Sequence, residues 1–165
     1  FDYFTEAIVG KAKAIRTDYQ PTEDDNVTIK GVAGDTYAMG FLGYAYYEEN
    51  KDKVKAVAID HGKGCVLPSR ETVLDGTYQP LSRPLFIYVN VKSLDRPEVQ
   101  AFVDFYLSPA ARRAIRSTGY VELPSEAYRI GQELVKRRKA GTFFMELPAG
   151  TPLSKFIQEL DKELR

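Results

Sequence analysis

Apolar residues recur at a spacing of four near the start of the chain, where Phe4, Ile8 and Ala12 share one face. With good helix formers between them, this predicts a helix over 2–15, weakest at Gly10. Residues 18–26 are polar and hold Pro21 and an acidic cluster, which predicts a loop. The period then shortens. Val27 to Val32 alternates like a short strand, and Gly34-Asp35 offers a turn and an N-cap for residues 36–39. Gly40 to Tyr46 is apolar and interrupted by small residues, which predicts a buried strand whose glycines permit close packing. A short charged helix or turn is expected over 47–53, a strand over 54–59, a turn over 60–64, and irregular structure with short helical or hairpin pieces over 65–81.

Leu85 to Val91 carries the strongest strand signal, and its near-continuous apolar run predicts burial on both faces. A long helix follows over about 96–118. Pro97 suits its first turn, Val99, Phe102, Val103, Tyr106, Ala110, Ala114 and Ile115 form its apolar stripe, and Gly119 suits its C′ position. Ser125 is expected to cap a helix over 126–140, and Thr151-Pro152 to open a terminal helix carrying Leu153, Phe156, Ile157, Leu160 and Leu164 on one face. Strands alternating with helices, then helices alone, predict an α/β chain. The Pro80 to Pro84 stretch divides it and predicts a crossing between two lobes.

Composition changes this picture little. Hydrophobic residues make up 44% and charged residues 28% of the 165, the balance of a folded domain rather than a disordered one. With 23 basic and 23 acidic residues the formal net charge is zero, which gives no general attraction to nucleic acid or anionic membrane. A single cysteine, Cys65, excludes an internal disulfide, and a single histidine, His61, excludes a histidine-based metal cluster. No apolar run approaches the roughly 20 residues of a membrane span. The chain opens at Phe1-Asp2-Tyr3-Phe4 without an initiator methionine, which is expected of a processed or truncated product or of one piece of a longer protein.

The candidate chemistry is sparse. Gly62-Lys63-Gly64 lacks the spacing of a phosphate loop, and Glu23 to Asn26 lacks that of a calcium loop. The basic run Lys136 to Lys139 reads as a solvated helix end. Arginine matches oxyanions with its planar fork of donors, and Arg16 and Arg83 both border loops or the lobe crossing. The acidic loop reads by default as solvated; the functional alternative is that one of its carboxylates orients a nearby arginine such as Arg16. These residues alone establish no enzyme.

Several stretches together, in this order, carry a resemblance. They are FDYFTEAIVG (1–10), TEDDNV (22–27), GFLGYAYYEEN (40–50), PLSRPLFIYV (80–89) and FVDFYLS (102–108), followed by Gly119-Tyr120-Val121. This set resembles the PstS family of phosphate receptors, particularly the form that includes the SphX proteins, through about residue 130. The resemblance implies a type II periplasmic-binding-protein fold: two α/β lobes of mixed sheets flanked by helices, joined by crossing strands, and incomplete here without an N-terminal half. Residues 1–81 would belong to the second lobe, and 82–165 would return into the first.

The resemblance also implies a non-enzymatic, high-affinity receptor of the periplasm or another extracytoplasmic space, with or without an N-terminal membrane anchor. Its partners would be inorganic phosphate, the permease subunits of a phosphate ABC transporter and the missing N-terminal half, with no cofactor, no metal and no nucleic acid. Most family ligands, including a Ser-Gly-Thr motif and a proton-accepting Asp, would lie upstream. What carries over is Phe1 and Asp2 at the first turn of the phosphate helix, with Asp2 expected to orient an arginine. Arg16, Gly34, Asp35, Ser82 and Arg83 are the implied cleft or hinge neighbours. The alternatives are a phosphatase-associated or extracellular protein that reuses the fold, or an isolated interaction module.

Overall fold

In the computed structural model, which describes residues 1–141 and 147–165, the chain is an α/β protein dominated by helices, with one small sheet. The first helix, α1 (Asp2–Val9), is shorter than its periodicity predicts. Gly10 takes the left-handed conformation (φ +80°) and its N–H closes on the Glu6 carbonyl, so the chain turns away five residues before the predicted end.

The strand predicted over 27–32 is instead helix α2 (Asp25–Gly34). Asp24 decides the matter. Its side chain accepts the backbone N–H groups of Asn26 at 2.8 Å and Val27 at 3.4 Å, which satisfies two donors that a helix start leaves orphaned. The β propensity of Val27, Thr28 and Ile29 is weaker than this cap together with burial of Ile29. Asp35 therefore ends α2 rather than capping a helix ahead of residues 36–39.

Residues 40–43 form no strand either, and the aromatic run continues as helix α3 (Tyr44–Glu49). The expectation of close packing at a glycine does hold. A Cβ on Gly40 would stand 2.7 Å from Thr28 Cγ2 and 3.1 Å from Val32 Cγ2, so this backbone lies directly on α2. Of the strand predicted over 54–59 only the last residue survives. Strand β1 (Ile59–Asp60) pairs antiparallel with β2 (Cys65–Val66) across the predicted turn, where Asp60 Oδ1 accepts the N–H groups of Gly62 and Gly64. A short helix α4 (Arg70–Leu74) follows, opened by a capping box between Ser69 and Thr72.

The strongest strand signal, Leu85 to Val91, also gives no strand. Leu85 is 60% and Tyr88 80% exposed, and the backbones of Leu85, Ile87, Tyr88 and Val89 find no ladder partner among the described residues. A strand exists only by pairing, and propensity alone cannot supply the second strand. The Phe86 ring instead meets Phe156 at 6.0 Å.

The C-terminal helices hold most of the buried apolar side chains. A 3-10 turn (Val91–Asp95) leads into α5 (Pro97–Tyr106). The helix predicted over 96–118 is broken there. Pro109 cannot donate to the preceding turn, and Ser108 Oγ caps a new helix α6 (Pro109–Ser117) by accepting from Ala111 N–H. Helix α7 (Ser125–Lys136) begins at its predicted place but ends four residues early, and Ser125 accepts from Arg112 at 2.7 Å instead of capping it. Leu94, Val103, Ala111, Ala127, Tyr128 and Ile130 are buried across these elements, Ile130 completely. The predicted terminal helix is α8 (Leu153–Lys162); Arg129 of α7 pairs with its Asp161 at 3.9 Å, and just past the helix ends Lys139 pairs with Glu163 at 3.4 Å and Arg137 donates to the Leu164 carbonyl. Gly119, left-handed as predicted at φ +77°, sets the end of α6 against Ala45 of α3.

Two glycines of this region separate packing from propensity. A methyl on Gly31, inside α2, meets nothing within 4 Å, so Gly31→Ala raises stability by about 0.5–1 kcal/mol. Gly40→Ala forces its new methyl into Thr28 and lowers stability by about 1 kcal/mol. Parallel denaturant melts of the two variants check both signs.

Candidate functional site

Helix α1 starts without a side-chain cap. Its first backbone bond runs from Thr5 N–H to the Phe1 carbonyl, so the N–H groups of Asp2, Tyr3 and Phe4 have no acceptor among the described residues. Such a start carries a partial positive charge and favours anions. Stacked rings support it from one side: Phe4 lies on Phe41 with centroids 4.0 Å apart and planes 6° apart, and Phe1 meets the same ring at 6.3 Å. Thr5, 1% exposed, accepts the Lys13 N–H at 2.7 Å and donates back to the Asp2 carbonyl at 3.0 Å. This folds the turn after Gly10 against the helix.

Tyr3 joins this helix start to two remote stretches of chain. Its hydroxyl donates to the Pro80 carbonyl at 2.7 Å, lies 3.3 Å from the Ser82 carbonyl and accepts the Gly150 N–H at 3.0 Å. Gly150 reaches this point because it has no side chain: a Cβ there would stand 2.7 Å from Pro80 Cβ, and its φ is +80°. The guanidinium of Arg83 lies over the Tyr3 ring, 5.0 Å from its centroid. Arg83 is exposed and has no acceptor or ion-pair partner among the described residues. Gln79, which precedes Pro80, is 8% exposed and its Oε1 has no hydrogen-bond partner among the described residues.

Four of the seven residues singled out from the sequence thus gather at one place: Phe1 and Asp2 at the start of α1, and Ser82 and Arg83 beside it. The Asp2 carboxylate faces Lys13 at 3.8 Å, so its partner is a lysine and not the expected arginine. The other three stand apart, with no hydrogen bond, ion pair or ring contact to this group. Arg16 is held by Asp18, with Nε to Oδ1 at 2.8 Å, and not by the acidic loop at 23–26. The hydrogen bond raises the Arg16 guanidinium pKa and lowers that of the Asp18 carboxyl. Gly34 ends α2, and Asp35 accepts the Tyr37 N–H at 2.8 Å. Sequence reasoning missed Tyr3 and Gln79. The available signal was proximity alone, since Tyr3 follows Asp2 and Gln79 precedes Pro80.

Among the described residues no group of three or more His, Cys, Asp or Glu side chains is placed to hold a metal ion, and no helix is long and apolar enough to cross a membrane. The site offers backbone donors, one arginine and carbonyl groups. The backbone N–H groups and the arginine are donors of the kind that an anion accepts from, and among the described residues the site holds no nucleophile and base within hydrogen-bond reach.

Comparison with known proteins places this arrangement in context. The chain is 50% identical over 161 residues to Protein SphX of Synechocystis sp., which covers 94% of this chain and 48% of that protein. It is 45% identical over 145 residues to Protein SphX of Synechococcus elongatus, covering 87% of this chain and 42% of the relative. It is 37% identical over 131 residues to the Phosphate-binding protein PstS of Staphylococcus haemolyticus, covering 78% and 40% respectively. The chain spans about half the length of the curated relatives it matches. No family model matches it, and no solved structure matches it.

Thr5 offers a test of how the helix start is held. Thr5→Val keeps the shape but strands the Lys13 N–H, and it lowers stability by about 1–3 kcal/mol. Thr5→Ser keeps the hydroxyl and restores most of the loss. Thermal melts of both variants against the parent measure the difference.

Proposed function

We propose that this chain, a homologue of the SphX and PstS proteins, forms the C-terminal half of a receptor for inorganic phosphate that hands its ligand to an ABC-type importer. The observation that carries the reading is sequence similarity: half of all residues match SphX over 94% of the chain, and the match extends to proteins named for phosphate binding. The uncapped start of α1, with an arginine over the Tyr3 ring that has no acceptor among the described residues, supports it, because both offer donors to an oxyanion.

In this reading the protein has the two-lobed type II periplasmic-binding fold. Residues 1–81 lie in the second lobe, and the chain crosses at Pro80 to Pro84 and returns into the first through residues 85–91. The exposure of Leu85 and Tyr88 supports the crossing, since an apolar run left in solvent fits an element that pairs with a strand outside this chain. Phosphate sits over the first turn of α1, where Phe1 and Asp2 shape the turn and Ser82 and Arg83 border the anion. Arg16 is neutralised by Asp18, and Gly34 and Asp35 close α2, so these three shape the cleft without touching the ligand. Lobe closure excludes water from the anion and presents both lobes to a permease on the outer side of the membrane. The receptor binds and releases without catalysis. No observation favours a phosphatase-associated protein or an isolated module.

Calorimetric titration of the intact receptor tests this function. One phosphate binds per molecule, and sulfate binds at least ~100-fold more weakly, a discrimination of about 2.7 kcal/mol. An intact receptor that ignores phosphate, or takes sulfate equally well, contradicts the reading.

A further inference from the structure

We propose that Tyr3 is the positioning residue of the phosphate site: its ring face holds the Arg83 guanidinium for the anion, while its hydroxyl fixes the crossing segment that carries Arg83. The inference rests on the receptor reading above and adds to it a residue to which that reading gives no role.

Three observations converge on Tyr3. Its ring lies under the Arg83 guanidinium at 5.0 Å. A contact with a ring face consumes none of the five guanidinium N–H donors, and those donors have no acceptor among the described residues. An exposed arginine is ordinarily mobile, or else paired with a carboxylate as Arg16 is with Asp18 and Arg96 with Glu98. Arg83 instead has a resting place that leaves its charge unspent. Secondly, the hydroxyl hydrogen-bonds to the backbone three residues and one residue before Arg83, at Pro80 at 2.7 Å and more weakly at Ser82 at 3.3 Å, and not to Arg83 itself. The ring and the hydroxyl therefore act on the same short segment in different ways. Thirdly, Tyr3 lies in the first turn of α1, so the residue that holds Arg83 also carries one of the free N–H groups at the helix start. One side chain thus sets the distance between the two sources of positive potential.

The two parts of the side chain predict separate effects. Removing the hydroxyl loosens the crossing segment and lowers thermal stability, while the ring still holds Arg83. Removing the ring releases Arg83 and weakens anion binding. Neither effect requires Tyr3 to touch phosphate.

A double-mutant cycle on phosphate affinity in the intact receptor tests this. Arg83→Gln weakens phosphate binding ~10-fold, and Tyr3→Leu weakens it ~3-fold in the parent, the scale of one exposed cation–π contact. In the Arg83→Gln background Tyr3→Leu has no further effect on affinity. Tyr3→Phe, which keeps the ring, lowers the melting temperature and weakens phosphate binding less than Tyr3→Leu does. If Tyr3→Leu fails to fold, fluorination of a phenylalanine at position 3 drains the ring face without changing its shape. Affinity then falls with each fluorine in the parent and not in Arg83→Gln. Equal losses in both backgrounds, or an Arg83→Gln receptor that binds as tightly as the parent, overturn the inference while the receptor reading stands. A parent that does not bind phosphate overturns both.

Discussion

One phenolic oxygen joins the three parts of this chain that build the site. A tyrosine hydroxyl has one proton to give and lone pairs to receive, and Tyr3 uses both. It gives to Pro80, 77 residues away, and receives from Gly150, 147 residues away. A net contribution of about 1 kcal/mol per hydrogen bond is modest beside a whole fold. Its effect on geometry is larger, because it fixes where the start of α1 stands relative to the segment that carries Arg83. The close approach of Gly150 to Pro80, which no residue with a Cβ could make, belongs to the same junction.

The distribution of burial explains why a single contact matters so much. Among the described residues, prolines aside, six of the eight buried apolar side chains lie between Leu94 and Ile130, in the 3-10 turn and helices α5 to α7. The first eighty residues contribute Ile29 and Ala45 to that group, with Thr5 and Gln79 as buried polar groups. Helix α1 is therefore placed by specific bonds and ring stacking rather than by a thick core. A helix start held in this way can keep its N–H groups open to a ligand, whereas one buried in a core would have to satisfy them internally.

The features legible in the sequence were those written in local chemistry. Gly119 at the end of α6, Pro97 at the start of α5, the hairpin turn at 60–64 and the stripe of α8 all appear in the structure near their predicted places. The strands failed as a class, for one reason: an alternating or apolar run records a preference for a sheet, and only a partner strand makes one. At 27–32 the Asp24 cap turned the preference into a helix, and at 85–90 no described residue supplies a ladder. Of the residues singled out from the sequence, Phe1, Asp2, Ser82 and Arg83 lie together around Tyr3, while Arg16, Gly34 and Asp35 stand apart. Tyr3 was not legible, because its role exists only through contacts from remote positions. Arg16, weighed in the sequence as a cleft neighbour or a surface ion pair, pairs with Asp18, two residues on.

The most direct measurement is a crystal structure of the intact protein grown with phosphate. The expected result places the anion over the first turn of α1, within hydrogen-bond distance of its open N–H groups, with the Arg83 guanidinium still over the Tyr3 ring and donating to a phosphate oxygen. Phosphate bound elsewhere, with Arg83 turned away from both the ring and the anion, would contradict it.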